Sequence, residues 1–234
     1  MKIIGQPESY SEMLERIFAT TLATGFLCTV FLAQGSPAVH DLVNRISASA
    51  DIGPLKGVKA LYVLIPLGIA IFARVIKLHD KISDIFRIRK RFDTRHILLP
   101  MAERLGFDIN NPFRASVEND RIQAMYAVFY PYAGFAEPAI DQQLVRTALD
   151  NWGWFWVALE AAFLTLVTLI VFFAIGRWNH GLLTLGVLIL LILFLFYQWS
   201  VCKRSASAQV EAILQDAERA DKVRRYFAKL EVAK

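Results

Sequence analysis

"WGWFWVALEAAFLTLVTLIVFFAIG" fills Trp152 to Gly176, and "GLLTLGVLILLILFLFYQWSV" fills Gly181 to Val201. Each meets the roughly 20 mostly apolar residues that a helix needs to cross a hydrocarbon layer. Only "RWNH" lies between them. The pair therefore reads as a tight transmembrane hairpin, and the chain is expected to be an all-α polytopic membrane protein. Two earlier segments also qualify, "IFATTLATGFLCTVFLAQ" at 17–34 and "VKALYVLIPLGIAIFARVI" at 58–76. The first is short and Thr-rich, so a buried helix in a soluble core is its alternative. The composition, 56% hydrophobic with a mean hydropathy of +0.41, is one that a soluble domain of 234 residues seldom has.

Four regions follow. Residues 1–76 hold spans one and two, 77–151 form a basic helical insert, 152–201 form the hairpin, and 202–234 form an amphipathic tail. Lysines and arginines set the orientation, because cytoplasmic segments are enriched in them. Lys77, Lys81, Arg87, Arg89, Lys90, Arg91, Arg95 and Arg104 crowd the insert. Lys203, Arg204, Arg219, Lys222, Arg224, Arg225, Lys229 and Lys234 crowd the tail. Both termini and the insert are expected to be cytoplasmic. The first loop, "GSPAVHDLVNRISASADIGPLKG", is expected outside, although it carries Arg45 and Lys56. Trp152, Trp154, Trp156, Tyr197 and Trp199 are expected at one headgroup level and Trp178 at the other, since their rings are apolar at one end and polar at the other.

"KISDIFRIRKRFDTRHILLP", Lys81 to Pro100, lies just beyond span two. Wound as one helix over 77–95, it places Leu78, Ile82, Ile85, Ile88 and Phe92 on one face and Lys77, Arg87, Lys90, Arg91 and Arg95 largely on the other. No proline or glycine interrupts the chain between Gly68 and Pro100, so the helix is expected to continue span two directly. Three readings fit it. It is a stalk whose charges meet water and anionic lipid; or Arg87, Lys90, Arg91 and Arg95 dock a cytosolic protein or nucleic acid; or Arg91 and His96, in the R-x4-6-H spacing of HEPN ribonucleases, act on RNA. Of the nucleic-acid and protein partners, protein is the one expected.

"MAERLGFDINNPF" reads as a short helix ended by Gly106 and a turn at Asn110–Pro112. "SVENDRIQAMYAVFY" reads as a helix capped by Ser116, and "EPAIDQQLVRTALDNW" as a helix with Pro138 near its first turn. From Ser205 a tail helix sets Val210, Ile213, Leu214, Ala217, Ala220, Phe227 and Leu230 at near-heptad spacing, which suits a coiled coil or packing on the insert.

Glu160 is the one acid inside a span, and an intramembrane carboxylate needs a partner. Arg74 sits at a similar depth, so a Glu160–Arg74 ion pair is expected, with a proton or ion pathway as the alternative. Thr20, Thr24 and Cys28 form one small-residue stripe of span one and Thr21, Gly25 and Thr29 its neighbour. Such stripes pack helices closely or line a pore. Cys28 and Cys202 give neither a disulfide framework nor a metal spacing. "MKIIGQPESYSEMLER" lacks the layout of a cleavable signal. No Walker A loop, nucleophile elbow or HExxH appears, and no enzyme activity, metal or cofactor is expected.

Four spans, internal termini and the basic helix "KISDIFRIRKRFD" make the chain resemble the membrane subunit of the Kiwa antiphage system, and next the four-helix membrane effectors of nucleotide-signalling defence. The resemblance implies a homo-oligomeric protein of a bacterial inner membrane that responds to infection at the envelope and recruits a cytosolic partner. The expected role is a docking platform. A pore-forming effector and a membrane-anchored HEPN-like ribonuclease are its rivals.

Overall fold

The structure is a computed structural model that describes residues 6–7, 9–46, 49–50, 58–134 and 138–232. Lys56 of the expected outer loop and Lys234 of the tail fall outside these residues. The fold is all-helical. Its β structure among the described residues is one two-residue antiparallel pairing, Ser49 with Lys59 and Ala50 with Val58.

Helix α1 (Tyr10–Gly35) starts where the Ser9 hydroxyl accepts the Glu12 N–H at 3.1 Å. That N-cap satisfies one of the amides a helix start leaves free. Helix α2 (Pro37–Ile46) follows at once, with the Ser36 hydroxyl accepting from Val39 N–H. Helix α3 (Leu61–Val75) carries Pro66 in its interior. It does not continue straight into the basic segment. Lys77 adopts a left-handed backbone (φ 51°), and helix α4 (Leu78–Phe86) departs at 56°. Arg87 repeats the device (φ 53°) before helix α5 (Ile88–Phe92), a π-helical turn over Asp93–Leu98, and helix α6 (Leu99–Arg104). The single amphipathic helix expected over 77–95 is thus three pieces. Neither break carries the glycine that usually marks a left-handed residue.

Helix α6 ends in a Schellman motif at Gly106 (φ 88°), with Phe107 N–H on the Ala102 carbonyl and Gly106 N–H on that of Glu103. Helix α7 (Asn111–Asn119) begins earlier than Ser116, because the Asn110 side chain accepts from Phe113 N–H at 2.9 Å and Pro112 suits the first turn. Ser116 sits inside it and donates to the Pro112 carbonyl. Helices α8 (Arg121–Val128) and α9 (Tyr130–Ala133) complete this stretch. Helix α10 (Gln142–Ala174) starts after Pro138, with the Asp141 carboxylate accepting from Gln143 N–H. It stops at Gly176 (φ 72°) in a second Schellman motif, Arg177 N–H on the Phe172 carbonyl. Helix α11 (Trp178–Leu214) merges the fourth span with the start of the expected tail helix. Asp216, accepting from Arg219 N–H at 2.9 Å, caps the separate helix α12 (Ala217–Val232).

Three helices, α1, α10 and α11, are long and apolar enough to cross a membrane; α3 and α4 make a fourth only when taken together across their bend. At 33 and 37 residues, α10 and α11 are about 50 and 55 Å long, well beyond a hydrocarbon core of about 30 Å. Leu182, Leu183, Leu190, Leu193 and Phe196 of α11 are each about 60% exposed or more. Monomeric soluble proteins rarely expose an apolar stripe of that size.

The chain divides into two compact units. The first comprises Leu14–His79 and Gly153–Gln198; the second comprises Ile4–Met13, Asp80–Trp152 and Trp199–Lys234. In the first, Ala162, Leu169 and Leu188 are packed by Phe173, Leu185, Leu191 and Leu195 across the α10–α11 hairpin. In the second, the core has two aromatic nodes. Phe113 stacks on Phe107 and touches Phe227, and Phe92 meets Trp152 and Trp199 edge-on at 4.6 and 5.1 Å. Val210, Ile213, Val223 and Phe227 of the tail are fully buried here, and α12 packs on α7 and α8. The tail seam is occupied within the unit.

Phe113 is completely buried. Phe113→Ala is expected to destabilise the protein by about 3–5 kcal/mol through lost burial and a residual cavity. Denaturant unfolding of the full chain in detergent checks this; a loss under about 1 kcal/mol contradicts the assigned core.

Candidate functional site

Glu160 lies inside α10 and is only 3% exposed. Its partners come from two other elements of the first unit. The Thr21 hydroxyl of α1 donates to Oε2 at 2.5 Å, and His79 Nδ1, in the first turn of α4, stands 3.5 Å from Oε1. The His79 ring also leans on Trp156, one turn before Glu160, with centroids 6.0 Å apart. The expected Glu160–Arg74 pair does not form. Arg74 lies instead over the Phe18 ring, its guanidinium carbon 5.4 Å from the centroid. The break at Lys77 turns the chain so that His79 reaches the carboxylate, while Arg74, before the break, stays exposed on α3. A buried cation, Arg16, sits over Trp154 at 5.2 Å.

The two small-residue stripes of α1 differ. Thr21, Gly25 and Thr29 are buried, and a Cβ built on Gly25 would stand 3.5 Å from Pro66 of α3. Thr20, Thr24 and Cys28 are half-buried. Thr20 donates back to the Arg16 carbonyl at 2.8 Å.

The second unit sorts its charges. Arg89 pairs with Asp80 at 2.6 Å, Lys90 with Glu118 at 3.0 Å and Arg121 with Asp93 at 2.5 Å. Tyr226 donates to the Asp120 carboxylate. Arg87, Arg91 and Arg95 remain exposed on successive turns, with no ion pair or hydrogen bond to an acid among the described residues. Of the four basic residues expected to dock a partner, Lys90 is therefore already engaged. Its ammonium hydrogen bond holds the Glu118 carboxyl below the ordinary range, and Arg87 and Arg95 add to the pull at longer distance.

Burial pushes the Asp93 carboxyl up to about 6, against the pull of Arg121 and Arg89. Burial, joined by the Asp93 charge, pushes the Tyr130 phenol up to about 12. His96 is lowered by burial, then by Lys203 and Arg95. Its ring packs against Phe92 and Trp199 at 5.2 and 5.9 Å, while Arg91 points to solvent. Among the described residues no group of three or more His, Cys, Asp or Glu side chains could hold a metal ion.

This is an all-helical chain with three or four membrane-length helices, a buried carboxylate among them, and a charged helical unit. The sequence model of the YmfE protein family matches residues 9–229, and the chain belongs to that family. It is similar to the uncharacterized protein YmfE of Escherichia coli (strain K12), 21% identical over 178 residues that cover 71% of this chain and 70% of that protein. No solved structure matches.

Two outcomes are expected. Thr21→Val and Glu160→Gln are coupled in a double-mutant cycle by about 1 kcal/mol or more, whereas Arg74→Ala and Glu160→Gln are additive within about 0.5 kcal/mol. Unfolding of the full chain in detergent reads both, and coupling only in the Arg74 cycle reverses the assignment. The Asp93 carboxyl binds its proton more tightly folded than unfolded, where it titrates near the ordinary 3.8. Its stabilising contribution is present below about pH 4 and lost as pH rises through about 6. Thermal melts across that window are expected to show this slope, and Asp93→Asn to flatten it.

Proposed function

We propose that this chain is a four-span protein of a bacterial inner membrane, with α3 as a short second span that α4 leaves along the membrane surface, and with both termini and the second unit cytoplasmic. It assembles as a homo-oligomer, passes an envelope signal inward, and docks an acidic cytosolic protein through Arg87, Arg91 and Arg95. It performs no chemistry of its own. The observation that carries the reading is the selective pairing of charge: Arg89, Lys90 and Arg121 have acidic partners, while three arginines on one ladder have none among the described residues. Exposed cations on successive turns steer and hold an acidic surface. The enrichment of Lys and Arg in the insert and tail supports the orientation. The support for a setting in antiphage defence is the likeness in layout to the Kiwa membrane subunit.

The test is purification from native membranes in mild detergent, comparing the parent with a variant in which Arg87, Arg91 and Arg95 are all changed to Glu. A cytosolic protein that copurifies with the parent and is lost from the variant, at unchanged oligomer size, is the expected result. In cells challenged with phage, the parent is expected to lower plaque counts and the variant to fail. A clean oligomer without partner in either sample overturns the docking reading.

A further inference from the structure

Ile85 was expected on the packed face of the basic helix with Ile82 and Phe92. Ile82 and Phe92 are buried, at 6% and 1% exposure, but Ile85 is 74% exposed and its neighbour Phe86 is 62% exposed. These two residues end α4 immediately before the left-handed Arg87. Lys77, Lys81 and Ile85 recur at every fourth position and are all exposed, and Arg87 is exposed beyond them. Asp84 is the one exposed acid in this stretch. The end of α4 thus presents two large apolar side chains, with exposed Lys81 and Asp84 on the same helix and exposed Lys77 just before it.

The preceding helix gives this patch its context. Helix α3 has 15 residues, about 22 Å, short of a hydrocarbon core of about 30 Å. Its Leu64, Phe72 and Val75 are exposed at 59, 64 and 74%, an apolar face that runs to within two residues of Lys77. The pair α3 and α4 passes as a membrane-length segment only when joined.

We propose that α4 is an interfacial anchor: Ile85 and Phe86 insert below the headgroups of the bilayer, and Lys77 and Lys81 bind anionic phospholipid headgroups beside them. Short amphipathic helices hold to membranes in this way, by apolar insertion together with attraction to anionic lipid. Lysine stems reach from the apolar layer to the headgroup level. The bend at Lys77 supplies the change of direction that such a helix needs after a span. The ladder of Arg87, Arg91 and Arg95 begins at the second break and is not part of this patch. The inference rests on the membrane reading of the chain.

The experiment places an environment-sensitive fluorophore on single cysteines of the full chain, with Cys28 and Cys202 changed to Ser. Labels go at Phe86→Cys, at Leu190→Cys on the exposed face of α11, and at Arg114→Cys on the exposed side of α7. The protein is reconstituted in phosphatidylcholine vesicles with and without phosphatidylglycerol, with nitroxide-bearing lipid as the quencher. The label at 86 is expected to lose more than half its emission to shallow lipid nitroxide in anionic vesicles, and the label at 114 little. Lys77→Glu with Lys81→Glu is expected to reduce the loss at 86 and leave that at 190 unchanged. Quenching at 190 with a label at 86 that behaves like the one at 114 overturns the anchor and leaves the membrane reading intact. Loss of quenching at 190 as well overturns both. A label at 86 shielded from lipid nitroxide and from aqueous iodide alike assigns the patch to a protein contact and also overturns the anchor.

Discussion

A carboxylate enclosed by apolar helices must be met by donors from neighbouring elements, because an unpaired charge in such a place costs several kcal/mol. Thr21 supplies one to Glu160, and His79 stands 3.5 Å from its other oxygen; this demand fixes much of the first unit. Thr21 facing α10 sets the rotation of α1 about its own axis. Gly25 and Thr29, one and two turns on, are then buried with it, while Phe26 and Leu27 turn outward at 38 and 66% exposure. A Cβ built on Gly25 would already stand at ordinary van der Waals distance of Pro66, so a side chain larger than a methyl would press on α3. One polar contact thereby selects which of two adjacent small-residue stripes is the packing face.

The backbone breaks at Lys77 and Arg87 are the second constraint. A left-handed conformation costs a side-chain-bearing residue roughly 1–2 kcal/mol, so each break needs compensation. After the first, His79 reaches Glu160 and Ile82 and Ser83 enter the interior. After the second, Phe92 joins the Trp152–Trp199 node and Asp93 reaches Arg121. A continuous helix would keep Ile82, Ile85 and Phe92 on one side. Interrupted at Arg87, the chain carries Phe92 into the core while Ile85 and Phe86, at the end of α4, stay exposed.

The long apolar runs were legible in the sequence because their length alone distinguishes them. Gly106 and Gly176 were legible as helix ends because a left-handed residue at that place strongly favours glycine. The breaks at Lys77 and Arg87 were not, since lysine and arginine carry no local signature of such a turn and the hydrophobic spacing ran through them uninterrupted. The start of α7 hid in an Asn-Asn-Pro sequence that suits a turn as well as a cap. Glu160 was recognisable from its position in a span, but its partner was assigned by depth along straight helices. Depth alone did not tell that Arg74 lies on an exposed face of α3, or that the 56° bend beyond it brings His79 to the carboxylate. His79 gave no signal beyond being a histidine near the end of an apolar run, and Thr21 only its membership in a stripe.

Charge is where the fold leaves most freedom to function. The chain has 26 basic and 21 acidic residues, an excess that could have been scattered to serve solubility. Within the second unit the acids are placed against particular cations: Asp80 on Arg89, Glu118 on Lys90, Asp93 on Arg121, Asp216 on Arg219. Arg91 and Arg95 share one short stretch with Arg89 and Lys90, yet the acids reach only the latter two. Exposed ion pairs contribute little to stability, so this arrangement does not follow from folding alone. The left-handed turn at Arg87 divides the exposed cations into two sets, Lys77 and Lys81 beside apolar Ile85, and Arg91 and Arg95 on a ladder without apolar neighbours as exposed. Cations beside apolar side chains suit a lipid surface, whereas a bare arginine ladder suits a hydrated acidic one. The backbone break that sequence periodicity missed is what keeps these two chemistries apart.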